Sequence, residues 1–407
     1  MTQGGTDARP GGLHEYYQRY GELPTFAGFT EDAALGEYAR KRAILMDKLR
    51  LPIDVFRGAR IIEFGPDSGE NALVFAGWGG NVTLVEPNPA AWPKITAYFD
   101  RFDVRAHLQE IRGESIQDFT PERDGVYDVA VAEGFIYTVR PTRLWTDLFA
   151  RLLRPGGFAL VSYQQRTGSF FEFLMKLVQA RYRGLTGASA LDSARALFTV
   201  KWASVPHTRR FESWVMDVLE NPYVRREFAY DAGEFYEEMA AAGIPIWGSW
   251  PEYTDALRVH WHKQEVPRDV RIAHDRLHIE RSQYSFALGS KAYLCHQDPA
   301  EMLAAARLVH EAVDAIDAAI GHFDPAVADR AIRAVEGMAS VVASGPVLIE
   351  PVADRPAPAV ALASAAAALR ACAAGDADRL AEFCATDAGF IGAWGQPAHL
   401  VSLRRDL

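Results

Sequence analysis

The chain has 407 residues, 49 % hydrophobic and 24 % charged, an ordinary balance for a soluble globular protein of two or three domains. A formal net charge of −10 and a pI of about 5.6 argue against a protein devoted to nucleic acid. Three late cysteines (Cys295, Cys372, Cys384) make neither a disulfide framework nor a zinc site, no apolar run reaches membrane-span length, and the polar N-terminus has no apolar leader, so a cytoplasmic location is expected.

In chain order, residues 1–12 are polar and glycine-rich and are expected to be disordered. Residues 13–50 carry helical periodicity. Within Ala33–Leu51, an apolar face runs through Leu35, Tyr38, Ala39, Met46 and Leu49. Residues 1–55 therefore read as an N-terminal helical cap, either packed on a sheet or covering a ligand. Tyr16, Tyr17 and Tyr20 are aromatic residues within its reach.

The stretch Arg60–Leu73 follows. Ile61-Ile62 reads as a buried strand, Gly65-Pro66-Asp67-Ser68-Gly69 as a turn, and Ala72, Leu73 and Ala76 as one helical face. Strand, glycine turn, helix brings backbone N–H groups and a helix N-terminus against a nucleotide-like ligand. The next apolar run, Val82–Val85, ends at Glu86. That is 23 residues after Glu63, the offset at which an acid meets ribose hydroxyls. The G-x-G-x-x-G pattern of hydride-transfer enzymes is absent.

Glu63-x-Gly65-x-x-x-Gly69, with Glu86 closing the second strand, resembles the class I S-adenosylmethionine-dependent methyltransferases. The resemblance continues through Ile111–Ile116 (third strand end), Tyr127–Gly134 (fourth strand with its acid) and Leu152–Ser162 (helix end, turn and fifth strand). It departs at Asp67, where the family usually has glycine. Asp tolerates left-handed φ better than most residues. The resemblance implies an α/β fold, a Rossmann-like seven-stranded sheet with helices on both faces, and S-adenosylmethionine as cofactor. It implies that Glu63, Gly65, Pro66, Asp67 and Gly69 meet the methionine and ribose side. Glu86 would accept from the ribose hydroxyls, Glu114 and Ser115 would lie near the adenine, and Glu133 would stand between cofactor and acceptor.

The methyltransferase core is expected over 56–265. After the fifth strand the pattern is interrupted by an insertion, 164–230, that starts helical at Ser169–Arg181. It holds ten basic against six acidic residues in an otherwise acidic chain. It leaves from the sheet end where ligands bind, so it reads as a cover for the acceptor. Asp231–Ala242 then reads as a helix, and Ile244–Trp250 and Ala256–Lys263 as the last two strands. The remaining 266–407 form an α-helical C-terminal region. Its hairpin is Pro299–Ile320 with Pro325–Val342, a Pro-rich linker spans Ser344–Pro358, and helices cover Ala359–Ala373 and Asp376–Phe383. These helices offer a route to self-association.

For chemistry, Glu133-Gly134-Phe135 is not the Asp/Asn-Pro-Pro-Tyr/Phe signature of nucleobase amino methylation, and no cysteine lies in the core for a covalent route to pyrimidine C5. His207, in the polar-aromatic stretch 206–214, is a candidate base for an acceptor hydroxyl, with Glu133 the other catalytic candidate. Tyr137, Tyr163 and Arg209 are candidates to touch the acceptor. His260 with His262, and His274 with His278, have metal-compatible spacing but no third ligand, so no metal is expected. The reading is a methyltransferase acting at oxygen on a small or glycan-like acceptor, an anionic activated sugar among the candidates. The alternatives are a non-catalytic S-adenosylmethionine-binding scaffold, favoured only by Asp67, and an RNA methyltransferase, disfavoured by acidity. No membrane partner is expected.

Overall fold

The computed structural model describes residues 13, 15, 16, 31–205, 209–255 and 263–407. Residues 1–12, Tyr17 and Tyr20 lie outside this set, as do His207, His260 and His262. The chain divides into two compact units. The first takes the chain up to Ser162, with 241–250 and 400–407; the second takes 163–240 and 251–399. These borders differ from the sequence division: 163–240 group with the C-terminal helices, and the last eight residues belong with the first unit.

The first unit is built on a sheet of β1 (Arg60–Phe64), β2 (Asn81–Val85), β3 (Leu108–Arg112), β4 (Tyr127–Ala132), β5 (Leu153–Gln164), β6 (Ile246–Trp250) and β9 (Ala398–Arg404). Their order is β3-β2-β1-β4-β5-β9-β6. The first five strands are parallel neighbours, with Ile61 opposite Val82 and Val129, and Ile62 opposite Thr83 and Ala130. Central parallel strands are covered on both faces, so they read as unbroken apolar runs. Ile61, Ile62, Val129 and Val131 are fully buried accordingly.

Three helices cover this sheet's site-bearing half: α1 (Asp32–Lys48), α2 (Glu70–Gly77) and α3 (Trp92–Arg101). Met46 and Leu49 pack with Ile61, Phe75 and Leu84 in one core. The helix α4 (Arg143–Leu152) ends as expected, but Pro155-Gly156-Gly157 lies within the span of β5 rather than before it. A register shift between Tyr127↔Leu153 and Val129↔Phe158 absorbs the turn, and Gly156 takes it at φ 74°.

The expected last strand, 256–263, falls almost wholly outside the described residues. The antiparallel neighbour of β6 is instead β9, with Gly248 opposite Ser402 and Trp250 opposite Leu400. Ser402 Oγ donates to the Leu49 carbonyl at 2.7 Å, fixing this strand to the end of α1.

The second unit holds α5 (Phe170–Thr186), α6 (Ala190–Ala203), α8 (Arg268–Arg281), α10 (Pro299–Gly321), α11 (Pro325–Ala343), α12 (Pro358–Ala374) and α13 (Ala377–Thr386), with α7 (Ala232–Ala241) and the short α9 (Gln283–Leu288) between them. Phe170, Phe171 and Leu174 of α5 share one core with Val309, Val313, Val335 and Leu369. Asp324 caps α11 by accepting from Val327 N at 2.9 Å, and Asp376 caps α13 by accepting from Arg379 N at 3.1 Å. The stretch expected as a linker contains a strand, β8 (Val347–Glu350), paired antiparallel with β7 (Lys291–Leu294). Val347-Leu348-Ile349 is a β-prone run that the neighbouring prolines outweighed in the sequence reading.

Candidate functional site

Four acidic residues stand at the carboxyl ends of four adjacent parallel strands. Glu63 is the penultimate residue of β1, and Glu86, Glu114 and Glu133 follow β2, β3 and β4. The strand order β3-β2-β1-β4 makes them neighbours along one sheet edge. A carboxylate inside a two-sided apolar strand would be desolvated without a partner, so acids appear where strands emerge. That edge is where open α/β sheets bind ligands.

Glu63 is the most deeply held, 2 % exposed. Its Oε2 is buried with no hydrogen-bond partner among the described residues. Burial first, and the Glu133 charge second, push its carboxyl up to about 8. The loop beyond it carries left-handed backbone at Gly65 (φ 58°), Asp67 (φ 55°) and Gly69 (φ 89°). A Cβ on Gly65 would come within 2.9 Å of the Phe135 ring, so glycine is required there twice over.

Asp67 serves the loop through its backbone. Its N–H donates to Glu86 Oε2 at 3.2 Å, while Asn88 N donates to Glu86 Oε1 at 2.8 Å. Two backbone donors thus orient the Glu86 carboxylate, which burial pushes up to about 7. Trp92 Nε1 donates to the Glu86 carbonyl at 2.9 Å. The same ring lies 2.8 Å from where a Gly113 Cβ would stand, so only glycine fits beside it. Trp92 therefore spans the ends of β2 and β3.

Glu114 is a half-exposed ion pair with Arg112 at 2.9 Å, and Ser115 Oγ donates to Asp118 at 2.6 Å. Glu133 is nearly buried and held by both guanidinium nitrogens of Arg42, with Nη1 at 2.9 Å from Oε2. The Arg42 guanidinium also lies 5.4 Å from the centre of the Phe75 ring. Burial alone would lower the Arg42 pKa, but Glu133 holds it above its ordinary value. One turn earlier on α1, Tyr38 donates to Asn71 Oδ1 at 2.7 Å, and burial pushes its hydroxyl up to about 12. Glu70 closes the cluster, accepting from Ser68 Oγ at 2.7 Å.

The structure thus brings Glu63, Gly65, Pro66, Asp67, Gly69, Glu86 and Glu133 to one edge of the first unit. Arg42, Tyr38, Asn71 and Trp92 belong with them and were missed from sequence. The signal for Arg42 was a lone arginine on an apolar stripe, four residues from Tyr38 and four from Met46.

Tyr137 is buried in the first unit, at 7 % exposure. In the second unit, Tyr163 is 2 % exposed, and its hydroxyl bonds to Tyr253 Oη, which in turn meets His399 Nδ1. Arg209 pairs with Asp217 at 2.7 Å. His278 Nδ1 meets Tyr293 Oη at 2.9 Å. His207 lies outside the described residues.

A family model described as "Methyltransferase domain" matches residues 36–248, just over half the chain. No curated protein matches. Among solved structures, the chain is similar to the N-methyltransferase NodS from Bradyrhizobium japonicum WM9 in complex with S-adenosylhomocysteine, at 17 % identity and TM-score 0.28 over 37 % of this chain and 74 % of that one. It is also similar to PKMT2 from Rickettsia typhi, at 13 % identity and TM-score 0.36 over 54 % and 46 %. A third is the glycopeptide N-methyltransferase MtfA complexed with sinefungin, at 18 % identity and TM-score 0.26 over 32 % and 55 %. The family match runs from α1 to β6 and takes in every acidic strand end of the first unit: this chain belongs to the methyltransferase domain family and is an S-adenosylmethionine-dependent methyltransferase of the class I, Rossmann-like kind.

Proposed function

We propose that this enzyme methylates oxygen on a small or glycan-like acceptor, and that its cofactor sits along the acidic strand ends of the first unit. The observation that carries the cofactor placement is the orphaned, buried Glu63 Oε2 amid Glu70 and Glu133. Three carboxylates face one guanidinium there, so a ligand bringing positive charge fits and an anionic one does not. When bound, S-adenosylmethionine supplies an electrophilic methyl group on a sulfonium.

Glu63 would take the ligand amine, and the Gly65–Gly69 backbone would approach the methionine and ribose. Glu86, pre-oriented by Asp67 N and Asn88 N, would accept from the ribose hydroxyls. Trp92 would flank the adenine, with Glu114 and Ser115 at its rim. Glu133 keeps its charge compensated by Arg42, which suits a residue that orients an acceptor better than one that must release and regain a proton. That leaves His207 as the proposed base for an acceptor hydroxyl, with Tyr137 and Tyr163 as proposed acceptor neighbours.

The insertion's positive charge was the reason to consider an anionic acceptor such as an activated sugar. Several of those charges have acidic partners of their own: Arg195 with Glu212, Arg209 with Asp217, and Arg226 with Asp314. Arg209 as an anion contact therefore requires Asp217 to yield, and a neutral hydroxyl acceptor is the simpler case. The test is a transfer assay with methyl-labelled S-adenosylmethionine over sugar, sugar-phosphate, polyketide, amine and RNA acceptors. Label found on a hydroxyl supports the reading. Label confined to amines or to RNA overturns the oxygen assignment, and cofactor binding with no turnover on any acceptor supports the scaffold alternative.

A further inference from the structure

We propose a phosphate-binding site in the second unit, in a cavity of about 220 Å³ between α5, the turn at 219–222 and the end of α10. Its charged lining is Lys176, Arg183, Arg225 and Glu220, three cations against one carboxylate. The two arginines have acidic partners, Arg183 with Glu220 at 3.3 Å and Arg225 with Asp317 at 2.7 Å. With Asp317 counted, the lining and its direct ion-pair partners carry one net positive charge, while Glu220, Glu172 and Asp317 attract Lys176 at longer range. The net charge belongs to Lys176, which is 8 % exposed and donates from Nζ to the Asn221 carbonyl at 2.6 Å. A buried ammonium has three donors, and among the described residues no carboxylate pairs with this one. Burial, followed by repulsion from Arg225, accordingly lowers its pKa to about 8.

Two further features set this place apart. The chain enters it through a π-helical segment, Val215–Leu219, a geometry that recurs at functional sites because it costs regular hydrogen bonding. Directly after it, the fully buried Asn221, which is not part of the cavity lining, supplies the carbonyl that holds Lys176. A tetrahedral anion offers the acceptors that Lys176 Nζ and the outer N–H groups of Arg183 and Arg225 lack. The cavity admits inorganic phosphate or the phosphate end of a small monoester, and all its parts lie in the second unit. The proposal therefore does not rest on the acceptor or cofactor assignments.

The test is calorimetric titration of the full chain with inorganic phosphate, glycerol 3-phosphate and, as a neutral control, glycerol, in chloride buffers of matched ionic strength. Saturable binding of either phosphate is expected. Preference for the ester marks a phosphorylated metabolite as the source, and equal affinity marks free phosphate. Lys176→Met should weaken binding about tenfold or more, and Arg183→Gln, a half-exposed position that leaves the core intact, should weaken it in the same direction. Glu220→Gln should tighten it. Absence of saturable binding overturns the site, and so does binding of equal strength in wild type, Lys176→Met and Arg183→Gln.

Discussion

Cofactor affinity should depend steeply on pH, with Glu63 as the cause. A carboxyl at about 8 is mostly protonated at neutral pH, and a protonated oxygen is a poor partner for an ammonium group. Binding must therefore expel the proton. By linkage, the apparent dissociation constant exceeds its high-pH limit by one plus ten to the power of pKa minus pH. With a pKa of about 8 this is about 11-fold at pH 7 and about 100-fold at pH 6. The assay is calorimetry of S-adenosylhomocysteine binding from pH 6 to 9, in paired buffers of low and high ionisation heat. The probe keeps the amine, and the buffer difference counts protons. At pH 7 Glu63 should release about 0.9 proton and Glu86, at about 7, about half of one more. Glu63→Gln should bind weakly and lose this step, leaving only the shallower dependence of Glu86 near 7. Affinity that changes less than threefold from pH 6 to 8.5, with no buffer-dependent heat, refutes Glu63 as the partner of the amine.

Glu86→Ala should weaken S-adenosylmethionine binding at least tenfold with the fold intact, since a charge-assisted hydrogen bond contributes about 1.5–3 kcal/mol; unchanged affinity by calorimetry removes Glu86 from the site. His207→Ala should lower turnover by about 10²–10⁴ at unchanged cofactor affinity, and equal activity in wild type and variant would return the base to Glu133. Deleting 398–407 removes β9 from between β5 and β6, along with the fully buried Val401 and Leu403, so cooperative thermal unfolding should be lost; a soluble deletion chain that still binds cofactor would show the strand to be dispensable. The ligand-free protein should lose thermal stability as pH rises from 6 to 7.5, above which the buried Lys176 and Lys201, whose pKa values are lowered, act in the opposite direction. Glu63 at about 8, and Glu86, Glu172 and Glu280 at about 7, hold their protons more tightly folded than unfolded, so their contribution is full below about 4.5 and lost as pH passes those values; a melting temperature that climbs over this range contradicts the sign.

The acidic strand-end edge was legible because each of its parts is local. Ile61-Ile62, the glycine turn and Glu86 lie within 26 consecutive residues, and buried parallel strands announce themselves as apolar runs. What failed to show was non-local. Strand β9 has the right alternation, with His399, Val401 and Leu403 buried, but it stands alone after alanine-rich helices. Only pairing with β6, about 150 residues earlier, makes it part of the sheet. Arg42 was hidden for the opposite reason: its helix was legible, but the partner that draws a charge into an apolar stripe, Glu133, stands 91 residues away. Tyr163 was legible as a strand-end candidate to touch the acceptor, but nothing local revealed its bond to Tyr253, 90 residues on.

The charge balance of the first unit's pocket ties these residues together. Fully ionised, Glu63, Glu70 and Glu133 would leave two negative charges uncompensated by Arg42, in a place from which water is nearly excluded. The free chain relieves part of this by keeping a proton on Glu63. Arg42 relieves another part by holding Glu133 at both oxygens, and Ser68 by donating to Glu70. Each device leaves Glu63 Oε2 as the group with most to gain from a cation. Asp67 is compatible with this economy because it meets Glu86 through its backbone N–H, and its left-handed φ is one that Asp tolerates. A glycine there could make the same bond, so the departure from the family pattern leaves the Glu86 contact intact. The acid count of the loop is therefore not a sign of lost function. It is the condition under which a ligand that is cationic at both amine and sulfonium is favoured over its neutralised relatives.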